Sequence, residues 1–336
     1  MTAREAILLV RLDGIGDAAL CIPTLEGMRR SFPDATFGAI CSRTNAALFS
    51  QRVARVHVYD PSQPVESLKR ELAGCGYTRA IIATEEVAGY KLGRLSGASA
   101  RAGFWHRLQK PFKSLWQRSQ LTSAVYRPAA WTASPEHEVT TLYRLGLALG
   151  AALPVPDAAA DLRAWLRVED SDAARSARGA VAVQITPKLL TGGWGPTAIA
   201  QLVSVTVQIS GLERAVLLAS AHDESLACSV LEHMPPAFAA GGRTRVLAGL
   251  TLPCWLGALE SASALVTPDT GAAHVAGMLG AGVVDLFDED GFERLSQQWH
   301  PWAGTWRCLV KPAWLAGTPE SLGARVGDAV RAVAKA

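Results

Sequence analysis

The feature that most restricts the fold of this chain is a short unbroken apolar run, Ala6-Ile7-Leu8-Leu9-Val10, that stops abruptly at Arg11-Leu12-Asp13-Gly14-Ile15-Gly16-Asp17. Five consecutive apolar residues leave no polar face, so as a strand the run is buried on both sides, the condition of a parallel sheet covered by helices. After the glycine-containing turn, Ala18-Ala19-Leu20 leads through Pro23 to Leu25, Met28 and Arg29-Arg30 at helical spacing, with Pro33-Asp34 as the stop. Strand, loop and helix then recur. Residues 37–41, 53–59 and 80–84 read as strands, and 45–49 and 68–73 as helical stretches.

Further on, residues 135–149 form a helix with Leu142, Leu145 and Leu149 on one face and Gly150 as its end. Residues 151–180, rich in alanine, proline and aspartate, are the join to a second half in which the alternation restarts. There, 180–185, 215–219, the region of Val246, 264–267 and 283–287 are strands, and 197–207, 225–234, 256–259 and 271–279 are helices. Two α/β halves of this kind predict two facing Rossmann-like domains with parallel sheets and a cleft between them. The expected layout is 1–165, 178–320 and a C-terminal helix over 321–336.

The length of 336 residues fits two domains of ordinary size, and 49% hydrophobic against 19% charged residues excludes a disordered polymer. A net charge of +3 speaks against a dedicated nucleic-acid binder. Cys21, Cys41, Cys75, Cys228, Cys254 and Cys308 form no C-x-x-C pair, and no histidines cluster beside them, so neither a zinc site nor a disulfide framework is indicated and a reducing cytoplasm is expected. The apolar stretch behind the N-terminus is too short for a signal-peptide core, so any membrane contact is expected through a surface patch. Between Arg101 and Trp131 the periodicity fades. Trp105, Trp116 and Trp131 stand there among Arg107, Lys110, Lys113, Arg118 and Arg127, which reads either as a contact surface for an anionic partner or as an irregular segment whose tryptophans pack.

Two loops carry the chemistry. In the first, Gly14-Ile15-Gly16 lacks the third glycine of a dinucleotide fingerprint, and Asp17 at the helix start disfavours a pyrophosphate, which weakens an NAD reading. Asp17 is either a base for a hydroxyl nucleophile or a helix N-cap. In the second, Thr267-Pro268-Asp269-Thr270-Gly271-Ala272-Ala273-His274 follows a buried strand. Asp269 or Thr270 can cap the helix, whose first-turn amides suit a diphosphate, and His274 is either a ligand or a structural histidine. Thr186-Pro187-Lys188 offers a cation for phosphate or an ordinary exposed lysine. Asp223-Glu224 offers acceptors for a ribose or a cap with a first-turn acid.

Together these residues resemble glycosyltransferase family 9, the heptosyltransferases of the lipopolysaccharide inner core. The resemblance runs from Ile7-Leu8-Leu9-Val10-Arg11 through Gly16-Asp17, Pro23, Leu25 and Phe32-Pro33-Asp34-Ala35. It continues in Arg101 with Gly103, in His137-Glu138, in Asp269-Thr270-Gly271 with His274 and in Leu286-Phe287, covering roughly residues 6 to 305. It implies a GT-B architecture and inverting, metal-independent transfer from a nucleotide sugar, typically ADP-heptose, to a phosphorylated lipid or oligosaccharide acceptor. It also implies a cytoplasmic protein peripheral at the inner face of the inner membrane. In that likeness Asp17 is the general base, Arg11, Gly16 and Arg101 belong to the acceptor side, Thr186, Lys188, Asp269, Thr270, Gly271 and His274 to the donor, and Glu224 to the nucleoside. Gly192 and Gly193 stand where the family has a basic residue before the tryptophan matching Trp194, with Lys188 as the substitute cation, and this departure leaves the donor sugar open. The alternatives are a GT-B glycosyltransferase with a soluble or secondary-metabolite acceptor and a non-catalytic sugar-nucleotide binder.

Overall fold

The computed structural model describes residues 5–49, 51–107, 110–128, 135–239, 242–315 and 317–335. Trp131 and Ala336 lie outside these. The chain divides into two units, one of 1–157 with 164–167, the other of 158–163 with 168–336. The first unit contains β1 (Ala6–Arg11), α1 (Ile15–Ala19), α2 (Ile22–Ser31), β2 (Thr36–Cys41), β3 (Arg55–Val58), α3 (Lys69–Ala73), β4 (Arg79–Ile82), α4 (Val87–Leu95), β5 (Ala100–Trp105), α5 (Pro111–Gln120), β6 (Ser123–Tyr126) and α6 (Glu138–Leu147). All its strand pairs are parallel, in the order β3-β2-β1-β4-β5-β6.

The second unit begins with α7 (Ala159–Arg163) and α8 (Asp172–Ala177), followed by β7 (Val181–Gln184), α9 (Pro196–Ser210), β8 (Ala215–Ala219), α10 (Glu224–Glu232), α11 (Pro236–Ala239) and β9 (Thr244–Ala248). Then come α12 (Leu252–Ser261), β10 (Ala264–Pro268), α13 (Gly271–Met278), β11 (Gly282–Asp288), α14 (Phe292–Trp299), β12 (Trp306–Lys311) and α15 (Thr318–Val333). Its sheet, β12-β11-β10-β7-β8-β9, is again wholly parallel and repeats the doubly wound order of the first. Ile7, Leu8, Leu9 and Val10 are completely buried, as an apolar run inside a covered parallel sheet requires.

Three expectations change. The expected boundary at 165 becomes a double crossing. Arg163 forks onto Glu260 at 2.6 and 3.2 Å, which ties α7 to the second unit. Trp165 belongs to the first, where its indole donates to Glu26 at 3.0 Å and its ring meets Phe37 edge-on at 5.3 Å. Burial pushes the Glu26 carboxyl up, but the hydrogen bonds from Arg29, Trp165 and Arg30 outweigh it and hold the group below its ordinary value. Residues 45–49 are turns instead of helix, because the Asn45 side chain is committed to the carbonyls of Asp13 and Gly14. The segment 101–127 is not irregular, since it holds β5, α5 and β6.

The C-terminal helix is α15, and it packs on α9 within the second unit. Contact is that close because α15 presents glycines: a Cβ on Gly323 would stand 2.8 Å from Val205 Cβ, and one on Gly327 2.6 Å from Ile209 Cβ. Gly327→Val is therefore expected to lower stability by about 2 kcal/mol through overpacking, whereas Arg325→Ala on the exposed face should stay within about 0.5 kcal/mol. Thermal unfolding of the two variants checks this, and equal melting temperatures would contradict it. Among the described residues no helix is long and apolar enough to cross a membrane.

Candidate functional site

A doubly wound sheet opens a crevice at the carboxyl ends of its strands where the connections diverge, in these units beside β1 and β4 and beside β7 and β10. The sequence candidates gather at both places.

In the first unit, Arg11 ends β1, almost fully buried, and donates across the switch point to the Ala83 carbonyl. Its Nε lies 2.9 Å from an Asp13 oxygen and another nitrogen 2.8 Å from Asp17 Oδ1. Gly14 is the N-cap of α1, so Asp17 sits inside the first turn and is not the cap. Its carboxylate is about a third exposed and oriented by Arg11. Gly16 is in the same turn, where its carbonyl accepts from the Leu20 amide at 3.0 Å. The loop that carries all this is pinned from the side by Asn45, fully buried, through the Asp13 and Gly14 carbonyls.

Beside it lies a charged network that the sequence did not reveal as a unit. Glu85, just past β4, has an oxygen 3.0 Å from His106 Nε2 and is approached by Arg127 at 3.4 Å and Lys110 at 3.8 Å. The His106 imidazole, with Arg127 and Lys110, holds the Glu85 carboxyl down at about 2 against the opposing effect of burial. Arg127 also forks onto Glu138 at 2.9 and 3.0 Å. Burial pushes Glu138 above its ordinary value in spite of that partner. Arg101 is not part of this end. It lies near the start of β5, where its guanidinium is bonded to the carbonyls of Gln120 and Ala98.

In the second unit, Lys188 Nζ reaches Asp269 Oδ2 at 2.7 Å and also the Asp269 carbonyl, bridging the ends of β7 and β10. Thr270 is the N-cap of α13, yet its hydroxyl is turned to Thr267 Oγ1 at 2.8 Å and makes no capping bond, so the first-turn amides that begin at Gly271 have no side-chain cap. Such a helix start, with a lysine beside it, is suited to an anion. Thr186 Oγ1 is buried next to this loop without a hydrogen-bond partner. His274 is 4% exposed, with its ring 6.4 Å from that of Trp299. Glu224 stands exposed on the first turn of α10, next to Asp223, whose carboxylate accepts from Ser220 Oγ at 2.7 Å and not from the helix.

The glycine pair has a conformational reason. Gly192 and Gly193 adopt φ of 75° and 86°, and a Cβ at 192 would stand 3.2 Å from the Ala313 Cα. A basic side chain at 192 is thus strained by the path of the loop. That path is fixed by Lys311, which is buried and donates to the Thr191 carbonyl at 2.7 Å while pairing with Asp288 at 2.8 Å. Lys188 is the cation that this geometry leaves at the helix start.

Sequence reasoning also missed Asp285. It lies on β11 between Thr267 and Cys308, completely buried, and neither carboxyl oxygen has a hydrogen-bond partner. Burial first and the Asp269 charge second push its carboxyl well above the ordinary value, with Lys188 opposing. Among the described residues no group of three or more histidine, cysteine or acidic side chains is arranged to hold a metal ion.

A group whose folded-state pKa is raised favours the folded state below its unfolded value and loses that contribution as pH rises through the folded one. The contribution of Asp285 to stability should therefore decline as pH is raised from about 4, and Asp285→Asn should remove this component of the slope. Denaturant titrations of both proteins across pH test it. Parallel profiles would show that Asp285 does not titrate this way.

No protein-family model matches the chain, and no curated protein matches its sequence. Solved structures do match. The Escherichia coli ADP-heptose lipopolysaccharide heptosyltransferase II superposes with a TM-score of 0.75 at 16% identity, covering 97% of this chain and 98% of that one. The E. coli heptosyltransferase WaaC with ADP gives 0.74 at 17%, covering 96% and 99%. A family 9 glycosyl transferase from Veillonella parvula gives 0.70 at 16%, covering 93% and 87%. At such identities the likeness is one of architecture, and it agrees with the strand orders above: the chain has an α/β fold of the GT-B type, made of two Rossmann-like units.

Proposed function

We propose that the chain is an inverting glycosyltransferase that moves a heptosyl or related glycosyl group from an ADP-sugar to a hydroxyl of a lipopolysaccharide-core-type acceptor. The observation that carries this reading is the pair of switch-point sites within one GT-B chain, a carboxylate held by arginine at one and an uncapped helix start with a lysine at the other. Displacement with inversion at an anomeric carbon needs a base on the incoming hydroxyl and positive charge on the departing diphosphate. Arg11 engages Oδ1 of Asp17, and Oδ2 takes the acceptor proton as the hydroxyl oxygen bonds to the anomeric carbon. The bond from that carbon to the phosphate oxygen breaks, and ADP leaves onto the α13 amides and Lys188. Thr186, Thr270 and Gly271 line the donor end, His274 backs the helix turn, and Glu224 accepts hydrogen bonds from the nucleoside.

In this reading the leaving group's charge is met by Lys188 and the helix, and no metal or cofactor is invoked. The adenine nucleotide is supported by likeness, since two of the superposed structures hold ADP and an ADP-2-deoxy-2-fluoro heptose. The acceptor, a phosphorylated lipid or oligosaccharide core, and a cytoplasmic site of action at a membrane surface belong to the same proposal.

Thermal-shift titration with ADP, UDP and GDP tests the donor end, because a ligand bound only by the native state raises the melting temperature by mass action. Selective stabilisation by ADP is expected, and Lys188→Ala should weaken it about tenfold or more, in line with a lost charge-assisted contact. Selectivity for UDP or GDP would overturn the ADP-sugar donor. Asp17→Asn should lower transfer by about 100-fold to 10,000-fold with the ADP shift unchanged, and full activity in that variant would end the general-base assignment.

A further inference from the structure

Helix α5 keeps two large apolar side chains in solvent. Its buried side chains are Ser114, Gln117 and Gln120, while Phe112 is 89% and Leu115 71% exposed. Both amide atoms of Gln117 are buried without a hydrogen-bond partner. The apolar anchor of the helix is Trp116, packed on the core with its ring 6.1 Å from that of Tyr90, so Phe112 and Leu115, left in solvent, add nothing to the packing of the unit.

Phe112 and Leu115, three residues apart, share the outer face. Beside them runs a groove of about 450 Å³ lined by Trp105, Arg107, Pro111, Ser114, Leu115 and Arg118. The Arg107 and Arg118 guanidinium groups lie 5.6 and 4.9 Å from the Trp105 ring. Residues 101–127 contain six lysines and arginines and no aspartate or glutamate. Arg101 is spent on backbone carbonyls, and Lys110 and Arg127 on Glu85, which leaves Arg107, Lys113 and Arg118 around the apolar pair. The patch belongs to the acceptor end of the first unit, since the His106 amide at the end of β5 donates to Ser114 Oγ on α5 at 3.1 Å.

An exposed aromatic and a leucine on one helix face, ringed by cations, complement a surface that is apolar beneath and anionic above. We infer that α5 seats the chain on an anionic lipid bilayer, with Phe112 and Leu115 entering the acyl boundary and Arg107, Lys113 and Arg118 reaching the phosphate headgroups. The choice of a bilayer rests on the reading of the acceptor as lipid-linked and deepens it.

The test is co-sedimentation of the full chain with vesicles of phosphatidylcholine alone or mixed with phosphatidylglycerol, without nucleotide. Binding is expected to the anionic vesicles only, to weaken in about 0.5 M salt, and to fall about tenfold or more in Phe112→Ser/Leu115→Ser. Lys113→Glu/Arg118→Glu should fall similarly, each basic residue near such a surface being worth about fivefold. Circular dichroism and the ADP thermal shift confirm that the variants are folded. Equal binding to neutral vesicles, no binding by the wild type, or undiminished binding by the serine variant overturns the inference. So does a wild-type dimer that becomes monomeric in the serine variant and ignores vesicles. An ADP shift without vesicle binding removes the surface and leaves the donor assignment, and vesicle binding without a shift from any nucleotide does the reverse.

Discussion

Both units depend on the same constraint, a basic side chain that bridges the switch point of a parallel sheet. Where the connections leaving two neighbouring strands go to opposite faces, the strand ends have no covering helix, and their carbonyls point into an open crevice. Arg11 closes this opening in the first unit by donating to the Ala83 carbonyl, and Lys188 does so in the second by donating to that of Asp269. Each cation then holds a carboxylate, Asp17 in one unit and Asp269 in the other. What differs is burial. Arg11 is almost fully buried and Lys188 is half exposed, so the first is a fixed part of the framework and the second stands open to solvent.

The electrostatics of the first unit follow from that buried arginine. Removing a guanidinium from water is unfavourable unless carboxylates surround it, and Asp13 and Asp17 do so at 2.9 and 2.8 Å. The charge of Glu138 is met by Arg127, and that of Glu85 by His106, Arg127 and Lys110. Charge is thus conserved locally across the ends of β1, β4, β5 and β6. Because Arg127 is shared by Glu85 and Glu138, and Arg11 by Asp13 and Asp17, these residues act as a set and their effects on stability will not add.

The parts of the fold that were legible in the sequence are those whose residues are uniformly buried. β1, β8 and β10 are continuous apolar runs because both faces of a central parallel strand are covered. β6 and β12 are sheet edges, with Ser123-Ala124-Val125-Tyr126 half-exposed throughout and Trp306-Arg307-Cys308-Leu309-Val310 half-exposed or exposed ahead of the buried Lys311, and their patterns carry no such signal. α14 has no fully buried side chain, and α5 leaves Phe112 and Leu115 in solvent while Trp116 packs inward, so burial there does not follow the apolar pattern alone. In the site, Asp17, Lys188 and Asp269 follow directly from strand-end loops. Glu85, His106 and Arg127 lie up to 42 positions apart and meet only because β4, β5 and β6 are neighbours. Arg101 misled because a strand residue and a strand-end residue look alike until the register is known.

The two glycines before Trp194 show how a site keeps its charge while changing its loop. Gly192 lies in the left-handed region against Ala313, where any other side chain is strained. The loop is held by Lys311 from beneath, through Thr191 and Asp288, where the short helical turn that begins at Pro187 is broken by extended backbone at Thr191 and left-handed backbone at Gly192. Proline at the first position fixes the direction in which the turn leaves β7, which places Lys188 over Asp269. The buried Asp285 adds to this economy. Behind the pair, burial and the Asp269 charge push the Asp285 carboxyl well above its ordinary value, with Lys188 opposing. The carboxyl inside β11 is thus pushed toward its neutral form by the same fold that pairs Lys188 with Asp269 at the strand ends.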